Sequence, residues 1–136
     1  MKIYFAGSIR AGREDAELYA KIITLLQNHA EVVTEHIGSA SLSEQGEVEK
    51  KDSFIRRRDL EWLESSDLVV AEVTRPSLGV GYELCYAEAR NIPVLCLFRP
   101  GEKLLSAIIR GNDYFEVFEY STIEDLEQFI PSRLAP

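Results

Sequence analysis

Five short apolar segments alternate with helix-forming segments along this chain of 136 residues, and this alternation limits the fold more than any other feature. The segments that predict strands are residues 2–6, 31–35, 67–73, 93–98 and 115–120. The segments that predict helices are residues 14–28, 53–64, 82–90 and 123–130, with a short helix or turn at 104–110. Because strands that alternate with helices form parallel sheets covered on both faces, we expect one α/β domain over residues 1–136. The expected architecture is a three-layer sandwich with a five-stranded parallel sheet in the order 2-1-3-4-5, as in flavodoxin-like and Rossmann-like folds.

Composition limits the partners that such a domain can take. A hydrophobic content of 46% is enough for a core, and a net charge of −8 argues against binding to nucleic acid or to anionic membranes. No apolar stretch approaches the ~20 residues of a membrane helix, and the apolar run at the amino terminus is too short for a secretory signal. We expect a soluble, cytoplasmic protein, with the nucleus as an alternative in a eukaryotic source.

The two cysteines, Cys85 and Cys96, have no metal-ligand or disulfide spacing, and we interpret them as reduced and mostly buried thiols. No pair of His, Cys or acidic residues has the spacing of a metal site, so we expect neither a metal nor another cofactor. His29 lies near the end of the first predicted helix, where a cation suits the negative end of the helix dipole, and is interpreted as structural.

Two glycine-containing loops follow the first and third predicted strands, at residues 7–12 and 74–81. In open α/β sheets, ligands bind at the carboxyl ends of the strands where the strand order reverses. With the order 2-1-3-4-5 that position lies between strands one and three. The two loops should therefore face each other across one crevice.

The first loop begins Gly7-Ser8-Ile9-Arg10, which offers successive N–H groups, a hydroxyl and a guanidinium. These groups are typical of phosphate sites, although Gly-Ser after a strand is also ordinary turn chemistry. The second loop adds small residues that expose N–H groups on the opposite wall: Ser77, Gly79 and Gly81. Together the loops predict a phosphate-bearing small molecule as the ligand.

Glu83 is the candidate nucleophile, because it is a carboxylate placed in the first turn of a helix behind this glycine-punctuated turn. The helix dipole should favour its ionised form by ~0.3–1 kcal/mol. The competing interpretation is an ordinary helix-start glutamate. Asp59, on the second helix, is a second acid within reach of the crevice, and Tyr4 is either a core aromatic residue or a crevice hydroxyl.

The remaining charged residues near these candidates receive simpler interpretations. Residues 56–58 (RRR) should be a solvated face paired locally with Glu61 and Glu64. His36 ends the second predicted strand and is expected at the edge of the pocket.

At these residues the chain closely resembles the 2'-deoxynucleoside 5'-monophosphate N-glycosidases of the nucleoside 2-deoxyribosyltransferase-like family. The resemblance spans nearly the whole chain. The matching blocks are YFxGSIR from Tyr4, TEH from Thr34, DLxWL from Asp59, VAEVTxPSLGVGYEL from Val70, LCLFRP from Leu95 and LSAxIRG from Leu105.

The resemblance implies that Glu83 attacks the anomeric carbon of deoxyribose, that the base leaves, and that water then releases 2-deoxyribose 5-phosphate. It implies that Tyr4 orients the nucleophile and that Asp59 protonates the base or activates water. It also implies a homodimer in which Ser106 reaches the neighbouring site. Ile108 stands where a relative carries methionine, so packing against the base is retained. The implied substrate-binding residues are Gly7, Ser8, Ile9, Arg10, His36, Ser77, Gly79, Gly81, Ser106 and Ile108.

A nucleoside 2-deoxyribosyltransferase is the main alternative within the family. Transferases tend to carry an aspartate six positions before the nucleophile, where this chain has Ser77. A carboxylate ~4 Å from a phosphate would cost about 4 kcal/mol per unit charge at an effective dielectric constant of ~20, so Ser77 favours a monophosphate substrate. A ribonucleotide N-glycosidase of the cytidine monophosphate type also stays open, as does a non-catalytic nucleotide sensor.

Overall fold

The computed structural model describes residues 1–8, 15–34 and 51–136. Of the candidate site residues, Ile9, Arg10 and His36 lie outside the described residues. The strands are β1 (Lys2–Ala6), β2 (Glu31–Val32), β3 (Leu68–Glu72), β4 (Val94–Phe98) and β5 (Phe115–Glu119). The helices are α1 (Ala16–Gln27), α2 (Asp52–Glu64), α3 (Leu78–Ala89), α4 (Ala107–Arg110) and α5 (Ile123–Leu134).

All strand pairs are parallel, and the sheet has the order β2-β1-β3-β4-β5, which confirms the predicted topology. The central strands β3 and β4 are buried along their whole length, as expected of apolar strands covered by helices on both faces. β1 pairs with β3 so that Ala6 lies beside Ala71. The carboxyl ends of these two strands are therefore level, and the segments that follow them start at the same edge of the sheet.

Two apolar layers flank the sheet, which confirms the three-layer architecture. Alternate residues of β1 enter different layers, because successive side chains of a strand point to opposite faces. Ile3 and Phe5 pack with α1 and α5, whereas Tyr4 and Ala6 pack with residues of α2 and α3. Tyr4 thus faces the side of the sheet that carries Glu83.

Helix α3 begins at Leu78, four residues before the predicted start, because Ser77 caps it. The Ser77 backbone is extended, and its hydroxyl accepts a hydrogen bond from the Val80 N–H at 3.3 Å. The prediction that residues 74–81 form a loop is wrong for 78–81. Gly79 and Gly81 lie in the first turn of the helix, and Glu83 is its sixth residue.

Strand β2 covers two residues and not the predicted five. At its end, side-chain bonding replaces the backbone ladder, because the Phe5 N–H donates to the Thr34 hydroxyl at 2.9 Å. Helix α5 continues past the predicted end at residue 130, through Pro131, and buries Leu134 in the core. Its start agrees with the prediction, since Thr122 and Asp125 form a capping box.

The cysteine prediction holds for one thiol of the two. Both are free, but Cys96 is buried in β4 and Cys85 is exposed on α3. Cys85 lies on the outward side of a helix whose Leu84 and Ala87 face the sheet. Within residues 1–8, 15–34 and 51–136, no helix combines the length and the hydropathy needed to cross a bilayer.

Candidate active site

A hydrogen bond between β1 and α3 is the centre of the candidate site. The Tyr4 hydroxyl donates to Glu83 Oε2, although the two residues are 79 positions apart in sequence. Tyr4 is only 1% exposed, so the alternative of a core aromatic residue and that of a crevice hydroxyl are both partly correct. The ring packs in the core, and the hydroxyl contacts the candidate nucleophile.

Burial is the main influence on the charge of Glu83, and it raises the pKa of this carboxyl to about 7. The nearby Asp59 carboxylate raises this pKa further, whereas the hydrogen bond from Tyr4 lowers it. The expected contribution of the helix dipole to the ionisation of Glu83 stays a prediction, and the position of the residue makes it small. Glu83 lies in the second turn of α3, beyond the first turn in which that effect acts.

Tyr4 stays protonated at neutral pH, as a hydrogen-bond donor must. Burial raises the pKa of its hydroxyl strongly, and the negative charges of Glu83 and Asp59 raise it further. A phenol that keeps its proton cannot compete with Glu83 as the nucleophile. It can only donate to the carboxylate, which fixes the direction of this bond.

Asp59 is held by its neighbour on α2. Arg58 Nη2 lies 2.8 Å from Asp59 Oδ1, and the guanidinium lies 4.8 Å from the centre of the Trp62 ring. The Arg58 side chain is only 15% exposed, so the prediction that residues 56–58 form a solvated face is wrong for Arg58. The indole and the carboxylate together give this guanidinium a fixed position.

Glu64, one of the two expected local partners of residues 56–58, instead binds residues of another helix. Glu64 accepts hydrogen bonds from Tyr86 and from Arg90 Nε, the latter at 2.9 Å, both on or next to α3. Arg56 Nη2 instead donates to the Tyr82 hydroxyl at 3.1 Å. These contacts tie α2 to α3, the two helices that carry Asp59 and Glu83.

Gly7 and Ser8 follow β1 at the expected edge of the sheet. A Cβ atom on Gly7 would lie 3.0 Å from Cε2 of the Tyr19 ring and 3.3 Å from the Phe5 ring, so close packing requires glycine here. Ser8 is completely buried, and its hydroxyl makes no hydrogen bond within the described residues. A buried hydroxyl without a partner is a candidate for binding a ligand oxygen.

The start of α3 is open on the side of its two glycines. Among the described residues, a Cβ atom on Gly81 would meet no atom within 4 Å, and one on Gly79 would meet only Ser77 Oγ at 3.9 Å. The first N–H groups of a helix have no partner within the helix and attract anions. Ser77 accepts the N–H groups of Val80 and Gly81 with its hydroxyl and its carbonyl, so the space beside Gly79 and Gly81, in place of the predicted loop wall, is where a ligand can approach the helix start.

Ser106 and Ile108 lie at α4, beyond the end of β4. Ser106 precedes the first residue of α4, and its carbonyl accepts from the N–H groups of Ile109 and Arg110. Both side chains are exposed, Ile108 to 82%. The fold of one chain therefore leaves them uncovered.

Sequence reasoning missed a buried charge at the same edge of the sheet. Glu72, the last residue of β3, is completely buried and contacts Thr74, Arg99 and Tyr120. Its signal in the sequence is a carboxylate that ends an otherwise apolar strand, LVVAE. Such a residue needs polar partners, because an unpaired buried charge is costly.

Comparisons with known proteins identify the family of the chain. A family model described as nucleoside 2-deoxyribosyltransferase matches residues 3–126. The 5-hydroxymethyl-dUMP N-hydrolase of Tetraodon nigroviridis is 53% identical over 135 residues, which cover 96% of this chain and 94% of that protein. The human protein of the same name is 51% identical over 123 residues, covering 87% of this chain and 71% of its own length.

Among solved structures, a 2-deoxyribosyltransferase from Bacillus psychrosaccharolyticus has the same fold. Its TM-score is 0.70 at 20% identity, over 98% of this chain and 96% of that one. The family model covers both the strand that carries Tyr4 and the helix that carries Glu83. The chain belongs to the nucleoside 2-deoxyribosyltransferase family.

Proposed function

We propose that this protein hydrolyses the N-glycosidic bond of 2'-deoxynucleoside 5'-monophosphates and releases a free base and 2-deoxyribose 5-phosphate. The observation that carries the proposal is the hydrogen bond from Tyr4 to Glu83, with Asp59 close enough to influence the charge of Glu83. A carboxylate nucleophile with a second acid is the arrangement of retaining glycosidases. Relatives named 5-hydroxymethyl-dUMP N-hydrolase, more than half identical, support N-glycosidase activity.

In the first step Glu83 attacks C1' of the deoxyribose as its carboxylate. A bond forms between a Glu83 oxygen and C1', while the bond between C1' and the base nitrogen breaks. The base leaves with the electron pair of that bond and takes up a proton, for which Asp59 is the proposed donor. Tyr4 holds the Glu83 oxygen that it contacts, so that the other oxygen is free to attack.

In the second step water attacks C1' of the glycosyl ester and Glu83 leaves as a carboxylate. The proton of the water passes to Asp59, which returns the site to its starting state. Between the two steps, after Asp59 has given up its proton, Arg58 holds the Asp59 carboxylate in place through the contact of its Nη2 with Oδ1. The product is 2-deoxyribose 5-phosphate.

Three features support a phosphate on the substrate. In the described part of the chain, the Ser8 hydroxyl is buried without a partner, and the first turn of α3 is open beside Gly79 and Gly81. The cap residue Ser77 is neutral, so it does not repel a phosphate as an aspartate at this position would. We propose that Ile9 and Arg10 complete the phosphate site and that His36 borders it, as the family resemblance implies.

We further propose that the active form is a homodimer in which Ser106 and Ile108 reach the site of the neighbouring subunit. Three large apolar side chains around α3 and α4 are almost fully exposed: Leu78 at 97%, Leu104 at 95% and Ile108 at 82%. Leu104 and Ile108 lie just before α4 and within it, and exposed apolar side chains grouped in this way are typical of protein interfaces. A second copy of the chain would cover them and place Ile108 against the base.

The test is an incubation of the purified protein with 5-hydroxymethyl-dUMP, the common deoxynucleoside monophosphates, cytidine monophosphate and the unphosphorylated nucleosides. Chromatography should detect free base and 2-deoxyribose 5-phosphate from the deoxynucleotides. Binding without release of base would contradict the proposal and favour a sensor. Transfer of deoxyribose to an added base, in preference to water, would favour a transferase.

A further inference from the structure

Glu72 fastens the segment between β3 and α3 to the sheet. Its Oε1 accepts the Thr74 N–H at 2.8 Å, and its Oε2 accepts the Thr74 hydroxyl at 2.9 Å and the hydroxyl of Tyr120. Glu72 is 0% exposed, and burial raises the pKa of its carboxyl while these donors lower it. A buried acid bonded twice to the residue two positions later fixes the path of the chain as it leaves the strand.

Arg99 extends this arrangement from the neighbouring strand. Its backbone N–H donates to the Thr74 hydroxyl at 3.0 Å, and its Nε lies 3.6 Å from Glu72 Oε2. Its Nη2 lies 2.5 Å from Asp15 Oδ2, at the start of α1. Arg75 Nε approaches the same Asp15 oxygen at 3.3 Å. Two arginines and two carboxylates thus form a charge network that balances within itself.

The position of this network matters because of what it joins. Asp15 follows the first predicted phosphate segment in sequence, and Thr74 and Arg75 lead directly to Ser77, the cap of α3. Arg99 lies between them after β4. The ion pairs therefore tie the start of α1 to the segment that sets the position of the α3 start.

We infer that the network of Glu72, Arg99 and Asp15 positions residues 74–77 for the phosphate of the substrate and so determines the preference for monophosphates over nucleosides. This inference rests on the proposed function and adds a structural cause for its substrate specificity. Glu72, Arg99 and Asp15 act through Thr74 and Ser77 and need no contact with the reacting atoms, so they are positioning residues. They differ in this from Glu83, Tyr4 and Asp59.

Near-isosteric neutral variants give the sharpest test. Glu72→Gln and Asp15→Asn each remove one carboxylate charge and should raise the KM for 5-hydroxymethyl-dUMP about tenfold, the effect of one lost hydrogen bond to a charged group. The kcat should change by less than about threefold, since the Tyr4 to Glu83 bond stays in place. The Kd for 5-hydroxymethyl-2'-deoxyuridine, which has no phosphate, should not change.

Glu116→Gln is the matched control, because it breaks an ion pair with Arg133 Nε at 2.8 Å on the exposed side of β5. This variant should leave KM and Kd as in the wild type. Equal weakening of the phosphorylated and unphosphorylated compounds by Glu72→Gln and Asp15→Asn would overturn the inference. So would a lower melting temperature with an unchanged ratio of the two affinities, since a purely structural role predicts that pattern.

Hydrogen exchange separates this inference from the proposed function. The amide of Thr74 is bonded to Glu72 and that of Arg99 to Thr74, so both should exchange faster in Glu72→Gln whether or not the protein is a hydrolase. A wild type that hydrolyses no monophosphate would end the proposed function but not this measurement. Unchanged exchange at Thr74 would refute the positioning role. If Glu72→Gln does not fold, the same amides are measured in Asp15→Asn.

Discussion

The Tyr4 hydroxyl donates its hydrogen bond to Glu83 across the boundary between sheet and helix, and burial raises the pKa of both groups. The Tyr4 ring is packed in the core, so the hydroxyl that contacts the Glu83 carboxylate is held in one position. The pKa of about 7 for Glu83 records a balance between burial, which raises it, and this donor, which lowers it.

The first prediction concerns pH. A protonated Glu83 cannot attack C1', so kcat/KM should fall as the pH drops through about 7. In Tyr4→Phe the donor that lowers this pKa is lost, so the acidic limb should move to higher pH. The activity at neutral pH should fall about tenfold or more. Initial rates of base release between pH 5 and 9 measure both effects. If the acidic limb lies at the same pH in both proteins, the ionisation of Glu83 is not the cause of that limb.

The second prediction is that Glu83→Gln loses turnover by at least about a thousandfold and still binds the substrate, because an amide is not a nucleophile.

The same substitution should also change how the stability of the fold depends on pH. The folded-state pKa of Glu83 lies above its ordinary value of 4.5, so Glu83 supports the fold below that pH and loses this contribution as the pH rises through about 7. Glu83→Gln should therefore raise the melting temperature more at pH 8 than at pH 5. Comparable melting gains at both values would contradict the burial of this charge.

The third prediction tests the neutral cap of α3. In Ser77→Asp the new carboxylate can still accept the Val80 N–H, so the helix remains capped. Its charge should weaken binding of a deoxynucleoside monophosphate by about 4 kcal/mol, roughly a thousandfold, at an effective dielectric constant of ~20. Binding of the nucleoside should change little. Calorimetric titration with both compounds provides the comparison, and Ser77→Asn is the uncharged control. An equal loss for the two compounds would place the phosphate elsewhere.

The fourth prediction tests the second subunit. Ile108 is 82% exposed on α4, so Ile108→Glu should fold normally as a single chain. If a second copy covers this residue, the buried charge should shift the molecular mass measured by ultracentrifugation toward the monomer and reduce base release. Glu116→Gln, on β5, is the control and should keep the wild-type mass. A variant that stays dimeric with full activity would exclude this surface from the interface.

The sequence predicts the order and the direction of the strands but not the length of β2, because order and direction follow from alternating apolar segments and the handedness of their connections. It does not predict the start of α3. Gly79 and Gly81 indicate a loop by composition, and the hydroxyl of Ser77 overrides that tendency by capping the helix four residues earlier. Glu83 therefore lies in the second turn of the helix and not in the first. Burial is the main influence on its pKa.

The charge network was beyond sequence reasoning for a different reason. Asp15, Glu72 and Arg99 are distant in sequence, and only the parallel order of β1, β3 and β4 brings their segments to one edge. A local pattern predicts that Arg58 is solvated, whereas stacking on Trp62 makes it part of the site. Pairings of this kind form between elements that are distant in sequence, so a local segment of sequence does not predict them.

The alternation of β1 has a consequence for the reliability of folding. Ile3 and Phe5 fill one apolar layer while Tyr4 faces the other, so a slip of one residue in this strand would exchange Tyr4 with a phenylalanine. The phenol would then lie among apolar side chains without Glu83 to accept its hydrogen bond, at a cost of about 1–3 kcal/mol. The register that packs the core best is therefore also the register that places Tyr4 beside Glu83. A β1 strand shifted by one residue would be less stable, so selection for stability alone keeps the Tyr4 to Glu83 bond.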